Sequence, residues 1–404
     1  MADAPATASR TDYFLFSSPA GNALCRKIIS EELGYDPHDY QLEGVCRALD
    51  GLDLLAITPT GSGKTGFLIM YFVVIRAVTK KPELCVNPPP HFRRDPVIVV
   101  VCPTLALEED MDVKFTSAGI SALVINKSTT DTSRRVEAKD IWDRAPAYEA
   151  LLLSPEQLSS PGFERLLKVK GYQARVVALG VDEVHLLNTW GRTIRPDFEQ
   201  IGPMRSRFEQ RPLIIALTAT LLAGEPTRSV CRFLGLHQGH YHLIRRSNMR
   251  YDIRFVFRTV QSGARAFAYP ELDWVLASKR RIVIFCPTIA LGFRVATYLH
   301  ARSEGLEDLD KRIRMYNSVN WASAYNTETL GFMRADECSR ITVAMDSLAV
   351  GIDVANTDDV VLYDTVLPCD TDVILQKAGR IRDGRGRDSR VVVYLPKNAA
   401  EIAQ

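Results

Sequence analysis

Short runs of apolar residues alternate with longer amphipathic segments along most of the chain. Most of these runs are continuous rather than alternating, which is typical of strands buried on both faces of a parallel sheet. Strands that alternate with helical segments form βαβ units. We therefore predict an α/β protein with mainly parallel sheets, whose strands are Leu54–Ile57, Val97–Cys102, Ala150–Leu153, Val176–Val181, Leu213–Leu217, Arg281–Cys286, Ile341–Ala344, Val360–Tyr363 and Val391–Leu395.

Two distant segments share a short pattern. The sequence VCPTLAL at residues 101–107 is similar to FCPTIAL at residues 285–291, and each follows a predicted strand and opens a predicted helix. Two domains of one design would leave such a repeat. The polar and basic stretch His240 to Tyr251 lies between two sets of predicted strands. We therefore expect an N-terminal extension at residues 1–30, a first domain at 31–245 and a second at 246–404.

Composition narrows the class of protein. Apolar residues make up 46% and charged residues 24%, as in soluble globular proteins. The net charge is +2, so any surface for nucleic acid must be a local patch. None of the 8 cysteines forms a C-x-x-C pair, which argues against a zinc site and favours a reducing compartment. We expect an intracellular location, which would be nuclear in a eukaryote. The longest apolar run, Phe67 to Ile75, is too short to cross a membrane, and no targeting signal is evident.

The sequence TPTGSGKT at residues 58–65 predicts a phosphate-binding loop, or P-loop. It follows a predicted strand and precedes a long apolar helix, Gly66 to Val78, which is the context that this motif requires. Thr58 stands where the general pattern has a glycine. The loop backbone and the helix N-terminus would bind nucleotide phosphates. We therefore expect ATP and Mg²⁺ as cofactors, with Lys64 at the β- and γ-phosphates, Thr65 on Mg²⁺, and Thr60, Gly61, Ser62 and Gly63 around the phosphates.

Two acidic residues directly follow the strand Val176–Val181. The carboxyl end of a strand is where open α/β sheets bind their ligands. Asp182 is expected to hold Mg²⁺, and Glu183 to orient and deprotonate the attacking water. His185 would contact the γ-phosphate or relay its state. Taken alone, the two acids would fit an ordinary acidic turn, but the P-loop favours the catalytic interpretation.

The P-loop followed by Asp-Glu-Val-His resembles superfamily 2 helicases. Residues 182–205, DEVHLLNTWGRTIRPDFEQIGPMR, are similar to the DExH box and aromatic-rich loop of the RecQ family. This resemblance implies two tandem RecA-like domains that couple ATP hydrolysis to 3′-to-5′ movement on single-stranded DNA. It also implies that Trp190, Arg195 and Phe198 sense the strand by stacking and phosphate contacts. The alternative is that both aromatic residues belong to the core.

Other segments match the family in the same order. Gln41, after Leu33-Gly34-Tyr35, is expected to read adenine, although His38 stands where an arginine usually accompanies it. The resemblance implies that Thr104 and Ser154 contact the DNA backbone. It further implies a coupling motif at residues 218–220, a domain crossover at residues 246–251, and a nucleotide-binding residue, Asp353, in the sequence AVGID.

The last motif departs from the family pattern. Residues 376–384, QKAGRIRDG, lack one glycine of the family's Gln-x-x-Gly-Arg-x-Gly-Arg-Asp-Gly. Two arginines are expected at the γ-phosphate, and Arg380 matches the first. Arg382 matches the second only if a deletion is allowed, and a lost residue rotates a helical segment by about 100°. Arg385 is an alternative second arginine.

Several functions stay open at this point. The chain ends after its last predicted strand, without the zinc-binding and winged-helix region common in RecQ proteins, so translocation or weak unwinding is expected. The preferred partner is single-stranded DNA or a tailed duplex, with RNA possible because stacking and phosphate contacts do not select the sugar. A nucleic-acid clamp with a degenerate motor is a second hypothesis. A P-loop kinase or small-molecule ATPase would leave the second domain without a role.

Overall fold

The computed structural model describes most of the chain. The described residues are 13–137, 140–189, 197, 200–248, 250–263, 266–305, 307–317, 323–335, 340–345, 348, 357–365, 371–381 and 388–402. The chain divides into two compact units, and the main division lies between Arg246 and Ser247. The short segment Pro59–Gly61 is grouped with the second unit, and the rest of the chain up to Arg246 forms the first.

Each unit contains one parallel sheet. The first has seven strands in the order β3-β4-β2-β5-β6-β1-β7, and the second has six in the order β10-β11-β9-β12-β13-β8. Every strand pairing is parallel. The strands are β1 Asp53–Ile57, β2 Val97–Val101, β3 Ala122–Ile125, β4 Ala150–Leu153, β5 Val176–Val181, β6 Leu213–Thr218, β7 Tyr241–Arg245, β8 Ile253–Thr259, β9 Ile282–Phe285, β10 Ile313–Tyr316, β11 Ile341–Ala344, β12 Asp359–Leu362 and β13 Ser389–Leu395. The predicted α/β fold with parallel sheets is confirmed.

Helices connect the strands, as parallel pairing requires. In the first unit they are α1 Pro19–Leu33, α2 Asp39–Leu49, α3 Thr65–Lys80, α4 Leu105–Ser117, α5 Lys127–Thr132, α6 Pro161–Leu167, α7 Tyr172–Arg175, α8 Leu186–Thr189, α9 Ile201–Met204 and α10 Glu225–Leu234. In the second unit they are α11 Asp273–Ala277, α12 Ile289–Ala301, α13 Leu309–Arg312, α14 Ser323–Arg334, α15 Thr371–Ala378 and α16 Ala399–Ile402.

The helix that follows the P-loop is the most buried of the described helices. All residues from Phe67 to Val78 in α3 are buried, and the helix packs against α1, α2 and α4. A helix that is apolar on all sides must be covered on all sides. This packing holds the N-terminus of α3 in place at the end of β1, where the P-loop lies.

The repeated sequence adopts the same conformation in both units. In the first copy, Thr104 precedes helix α4 and has φ −140° and ψ 152°. Its hydroxyl accepts a hydrogen bond from Leu107 N. Thr288 has φ −135° and ψ 149°, and its hydroxyl accepts from Leu291 N. Each threonine therefore caps a 13-residue helix, α4 or α12. The two units share this strand-to-helix connection as well as their sheet type.

The polar stretch near the domain boundary is not a simple linker. Residues 241–245 form β7, which pairs with β1 at the edge of the first sheet, so this part of the stretch His240 to Tyr251 is a strand of the first unit. Among the described residues, no helix combines the length and apolar character needed to span a bilayer.

Candidate nucleotide site

The predicted site segments of the first unit end neighbouring strands of one sheet. Strands β4, β2, β5, β6 and β1 are consecutive in the sheet and parallel. Their carboxyl ends therefore meet at one edge, which is where such sheets bind ligands. From one side to the other, this edge carries Ser154, Thr104, Asp182, Thr218 and the P-loop.

The P-loop uses its glycines for backbone conformation. Gly61 and Gly63 have φ of 82° and 77°, values that residues with a Cβ atom rarely adopt. A Cβ on Gly63 would also lie 2.9 Å from Nε2 of Gln41. Thr60, Ser62 and Lys64 are half-buried in this turn, and Thr65 is the first residue of α3. The loop therefore presents its backbone at a helix N-terminus, the arrangement that binds phosphate.

Thr58 stabilises the loop from inside. Its side chain is fully buried, and its hydroxyl accepts a hydrogen bond of 2.8 Å from the Ser62 hydroxyl. Its backbone N–H donates to Thr218 O at 3.0 Å, which joins the start of the loop to β6. Thr58, which stands where the general pattern has a glycine, thus holds the P-loop in place through hydrogen bonds to Ser62 and Thr218, and we call this arrangement the brace.

We expect Thr58→Val to weaken ATP binding. The substitution keeps the size and β-branched shape of the side chain but leaves Ser62 without its buried acceptor, a loss of about 1 kcal/mol. The Kd for ATP should therefore rise about fivefold. Fluorescence titration with a labelled ATP analogue measures this change. Thr58→Ser retains the hydroxyl and should bind as the wild type does, whereas equal losses in both variants would contradict the brace.

The start of α2 contacts the other side of the P-loop. Gln41 is buried, donates from Nε2 to Gly63 O at 3.0 Å, and accepts at Oε1 from His38 N at 3.2 Å. Tyr40 donates to Ser62 O at 2.6 Å. The guanidinium of Arg246 lies 4.6 Å from the Tyr40 ring centroid, within cation–π range. Gln41 therefore contacts the P-loop directly. Its role in reading adenine stays a prediction.

Asp182 is a buried carboxylate at the end of β5. Its Oδ1 accepts from Glu183 N at 2.9 Å, and its own N–H donates to Val101 O at 3.1 Å. Burial, and after it the negative charge of Glu183, raise the pKa of Asp182 to about 7. The positive charge of Lys64 opposes both effects. A second cation at this position would stabilise the ionised carboxylate, which suits a magnesium ligand.

The raised pKa of Asp182 predicts a pH-dependent effect of its removal. The folded protein holds a proton on Asp182 up to about pH 7, but the unfolded chain releases it near the ordinary aspartate pKa of 3.8. Stability is therefore lost as the pH rises between these two values. Asp182→Asn should raise the Tm by about 2–4 °C, or ~1 kcal/mol, near pH 8 in metal-free buffer. Near pH 5 the gain should be smaller, and an equal gain at both pH values would contradict the raised pKa.

Glu183 adopts an uncommon backbone conformation. Its φ is 49°, in the left-handed region that costs about 1 kcal/mol or more for a residue with a side chain. The residue is buried, and the backbone N–H of the next residue, Val184, donates to Leu217 O of β6 at 3.0 Å. The turn is therefore anchored on both neighbouring strands, β2 through Asp182 and β6 through Val184. This geometry turns the chain sharply between the two carboxylates.

His185 connects the carboxylate turn to the end of β6. Its Nδ1 lies 2.8 Å from the Thr218 hydroxyl and 3.3 Å from Glu183 Oε2. The Thr218 hydroxyl donates its one hydrogen to Thr220 O at 3.0 Å, so it accepts from His185. Nδ1 of His185 is therefore the donor in this hydrogen bond. Through this nitrogen, His185 links Glu183 to the segment at residues 218–220.

The remaining predicted residues fall into three groups. Thr104 is half-buried and Ser154 is buried, and both begin the segments that follow their strands. Arg380 is buried in the second unit, in the turn after α15, and its N–H donates to Lys377 O at 3.1 Å. Trp190, Arg195, Phe198, Asp353 and Arg382 lie outside the described residues, as does the alternative Arg385.

Sequence reasoning missed two residues of the site. Tyr40 and Arg246 were not singled out as part of it, yet Tyr40 hydrogen-bonds the P-loop and stacks near Arg246. Tyr40 adjoins Gln41 in the sequence, which is the only signal that points to it. The position of Arg246 depends on β7, which the apolar pattern did not predict.

Comparison with known proteins agrees with this geometry. Residues 38–228 match the family model described as DEAD/DEAH box helicase. The chain is 27% identical over 368 residues to the ATP-dependent DNA helicase RecQ of Pasteurella multocida, covering 89% of this chain and 50% of that protein. It is 28% identical over 181 residues to the ATP-dependent DNA helicase Q1 of Rattus norvegicus, covering 45% of this chain and 26% of that protein. The chain spans about half the length, or less, of these curated relatives.

Solved structures share the fold. Mycobacterium smegmatis helicase Lhr, bound to ssDNA and AMP-PNP, matches with a TM-score of 0.67 and 21% identity, covering 93% of this chain and 47% of that one. A variant of S. cerevisiae Dbp5, bound to RNA and ADP BeF3, matches with a TM-score of 0.67 and 14% identity, covering 96% and 90%. The prediction of two RecA-like domains is confirmed.

The P-loop at the end of β1 and the Asp-Glu-Val-His turn at the end of β5 both lie within the residues that match the DEAD/DEAH box helicase model. The RecQ relatives extend the likeness over most of the chain. The chain is thus similar to RecQ helicases over most of its length, the resemblance that its motifs indicated.

Proposed function

We propose that this protein is an ATP-dependent DNA helicase or translocase that moves 3′ to 5′ along single-stranded DNA. The observation that carries the proposal is the common sheet edge of the first unit. There the P-loop, Asp182 and Glu183 follow neighbouring strands, and the charge of Lys64 acts on Asp182. The relatives that cover most of the chain carry the name ATP-dependent DNA helicase. Residues 31–245 and 246–404 would be the two helicase domains.

The donor set around the P-loop fits ATP with Mg²⁺. Backbone N–H groups of residues 60–63 and the Lys64 ammonium would bind the phosphates. The Thr65 hydroxyl and the Asp182 carboxylate would hold Mg²⁺, whose chemical contribution is to neutralise charge on the β- and γ-phosphates. Binding of this cation would keep Asp182 ionised despite its burial.

Glu183 would act as the general base of hydrolysis. Its carboxylate adjoins His185 and is held by the turn between β2 and β6. A base in a fixed position takes the proton of the attacking water, a contribution of about 10²–10⁴ in rate. His185 would pass the state of this carboxylate to Thr218 and residues 219–220, because its Nδ1 adjoins both groups.

Nucleic acid would bind along the same sheet edge. Thr104 and Ser154 would contact the backbone, and Trp190, Arg195 and Phe198 would stack on bases and bind phosphate. Gln41, Asp353, Arg380 and Arg382 would complete the nucleotide site. Each of these roles is part of the proposal and rests on the motif that contains the residue.

A strand-separation assay tests polarity and the choice of nucleic acid. We expect ATP-dependent unwinding of a DNA duplex with a 3′ single-stranded tail, weaker activity on a 5′-tailed duplex, and little on an RNA duplex. A streptavidin-displacement assay on single-stranded DNA detects translocation if unwinding is weak. Stimulation by RNA alone would redirect the proposal to RNA. Tight DNA binding without any movement would support the nucleic-acid clamp instead.

A further inference from the structure

The edge strand of the second sheet has an unusual surface. β8 runs over seven residues, Ile253–Thr259, and pairs along its full length with β13, and in the described part of the chain no strand pairs with its other side. Ile253 is buried and Val256 is half-buried, but the other five residues are exposed or nearly so. A long exposed edge strand is a template on which another strand can pair.

The backbone of β8 offers regular hydrogen-bonding groups on its outer side. Ser389 N donates to Asp252 O at 3.3 Å, and Val260 N donates to Leu395 O at 2.8 Å. Since alternate residues of a strand face alternate neighbours, the even-numbered residues face β13. The N–H and C=O groups of Phe255, Phe257 and Thr259 therefore point away from the sheet. Within the described part of the chain, these groups have no hydrogen-bond partner.

The side chains of β8 differ between its two faces. Phe255 and Phe257 share one face and are 36% and 62% exposed. Arg254 and Arg258 share the other face with Val256, which packs against the core of the second unit. Arg258 donates to the Tyr394 hydroxyl at 3.3 Å and lies 5.7 Å from the Trp274 ring centroid, but neither arginine has a carboxylate within 4.0 Å among the described residues. The strand therefore presents an apolar face and a basic face on either side of its outer edge.

We propose that β8 binds an extended acidic segment of another protein as an added strand. Such a segment would pair with the outward backbone groups of β8, the recognition mode called β-augmentation. Its alternate side chains would then point to opposite faces. Acidic residues would meet Arg254 and Arg258, and apolar residues would cover Phe255 and Phe257.

The separation of the two faces favours a protein strand over nucleic acid. Single-stranded nucleic acid binds where stacking rings and cations line one groove. Here the two exposed rings, Phe255 and Phe257, lie on the face of β8 opposite to the guanidinium groups. The ring beside Arg258, that of Trp274, is partly buried. A second copy of the chain fits poorly as well. Antiparallel pairing of two β8 strands would bring arginines together without any acidic residue, and like charges opposite each other are destabilising.

The probe is a fluorescein-labelled seven-residue peptide of alternating glutamate and valine, titrated with the protein by fluorescence anisotropy. We expect saturable binding. A peptide N-methylated at alternate residues loses the backbone donors and should not bind, and neither should a peptide of alternating lysine and valine. Absence of binding at the highest soluble concentration, or equal binding of the N-methylated peptide, would overturn the proposal.

Two variants locate the contact on β8. Arg254→Glu should weaken binding of the glutamate peptide about fivefold and allow the lysine peptide to bind. Phe257→Thr should weaken binding while keeping a side chain that favours strands. Lys279→Glu, a charge reversal at an exposed residue elsewhere in the second unit, is the matched control and should have no effect. Equal losses in all three variants would contradict the assignment.

Two further results would assign β8 to another occupant and overturn the proposal. One is self-association in analytical ultracentrifugation that disappears in Phe257→Thr. The other is a loss of single-stranded DNA binding in the same variant. Circular dichroism confirms that each variant is folded before these measurements.

Discussion

Glu183→Gln should lower the kcat of ATP hydrolysis by about 10³ while leaving the Kd for ATP nearly unchanged. Glutamine has the same shape as glutamate but cannot accept the proton of the attacking water. The Asp182 carboxylate and the P-loop, which would hold the nucleotide, are unaltered by this change. Single-turnover hydrolysis measures the chemical step, and titration with a fluorescent ATP analogue measures affinity.

The Glu183 variant also bears on stability. Loss of its charge removes one of the two causes that raise the pKa of Asp182. The folded protein should therefore be no less stable than the wild type at neutral pH. Glu209→Gln, an exposed residue of the first unit, serves as the control and should hydrolyse ATP normally. A Glu183→Gln variant with more than a tenth of wild-type kcat would mean that another group is the base.

Lys64→Ala should lower kcat/KM for ATP by about 10²–10³. The Lys64 ammonium would stabilise charge that develops on the γ-phosphate, and a single such electrostatic contact is worth about 3–4 kcal/mol. The effect should appear in both binding and turnover, because Lys64 would contact the phosphates before and during the reaction. Steady-state hydrolysis over a range of ATP concentrations separates KM from kcat.

The matched control for Lys64→Ala is Lys80→Ala, at the other end of the same helix. Lys80 is exposed at the C-terminus of α3, far along the helix from the P-loop, and Lys80→Ala should leave hydrolysis unchanged. The pKa of Asp182 should be higher in Lys64→Ala than in the wild type, because the positive charge of Lys64 lowers it. Full ATPase activity in Lys64→Ala would overturn the assignment of the site.

The strands found from the sequence and the strands missed have different places in the sheets. All nine predicted strands are interior strands, covered by neighbours on both sides. The four missed strands, β3, β7, β8 and β10, are the four edges of the two sheets. Interior parallel strands are buried on both faces and read as continuous apolar runs. The edge strands β7 and β8 carry exposed polar residues, such as Arg245 and Arg254, and so lack that signal.

The catalytic residues of the site could be predicted from the sequence, but the hydrogen bonds that hold the P-loop in place could not. Lys64, Asp182 and Glu183 follow apolar strands, and parallel strands place their carboxyl ends on one edge. The hydrogen bonds from Ser62 to Thr58 and from Tyr40 to Ser62 depend on turn geometry that no periodicity encodes. The link between His185 and Thr218 joins residues 33 positions apart and follows from the neighbouring positions of β5 and β6.

The most direct measurement is ATP turnover by the wild-type protein as single-stranded DNA is added, with Glu183→Gln as the baseline. We predict that turnover rises severalfold, saturates with the DNA, and stays at the baseline in the variant. A wild-type protein that binds the DNA fully, yet hydrolyses ATP no faster than Glu183→Gln, would contradict the account of a DNA-stimulated motor.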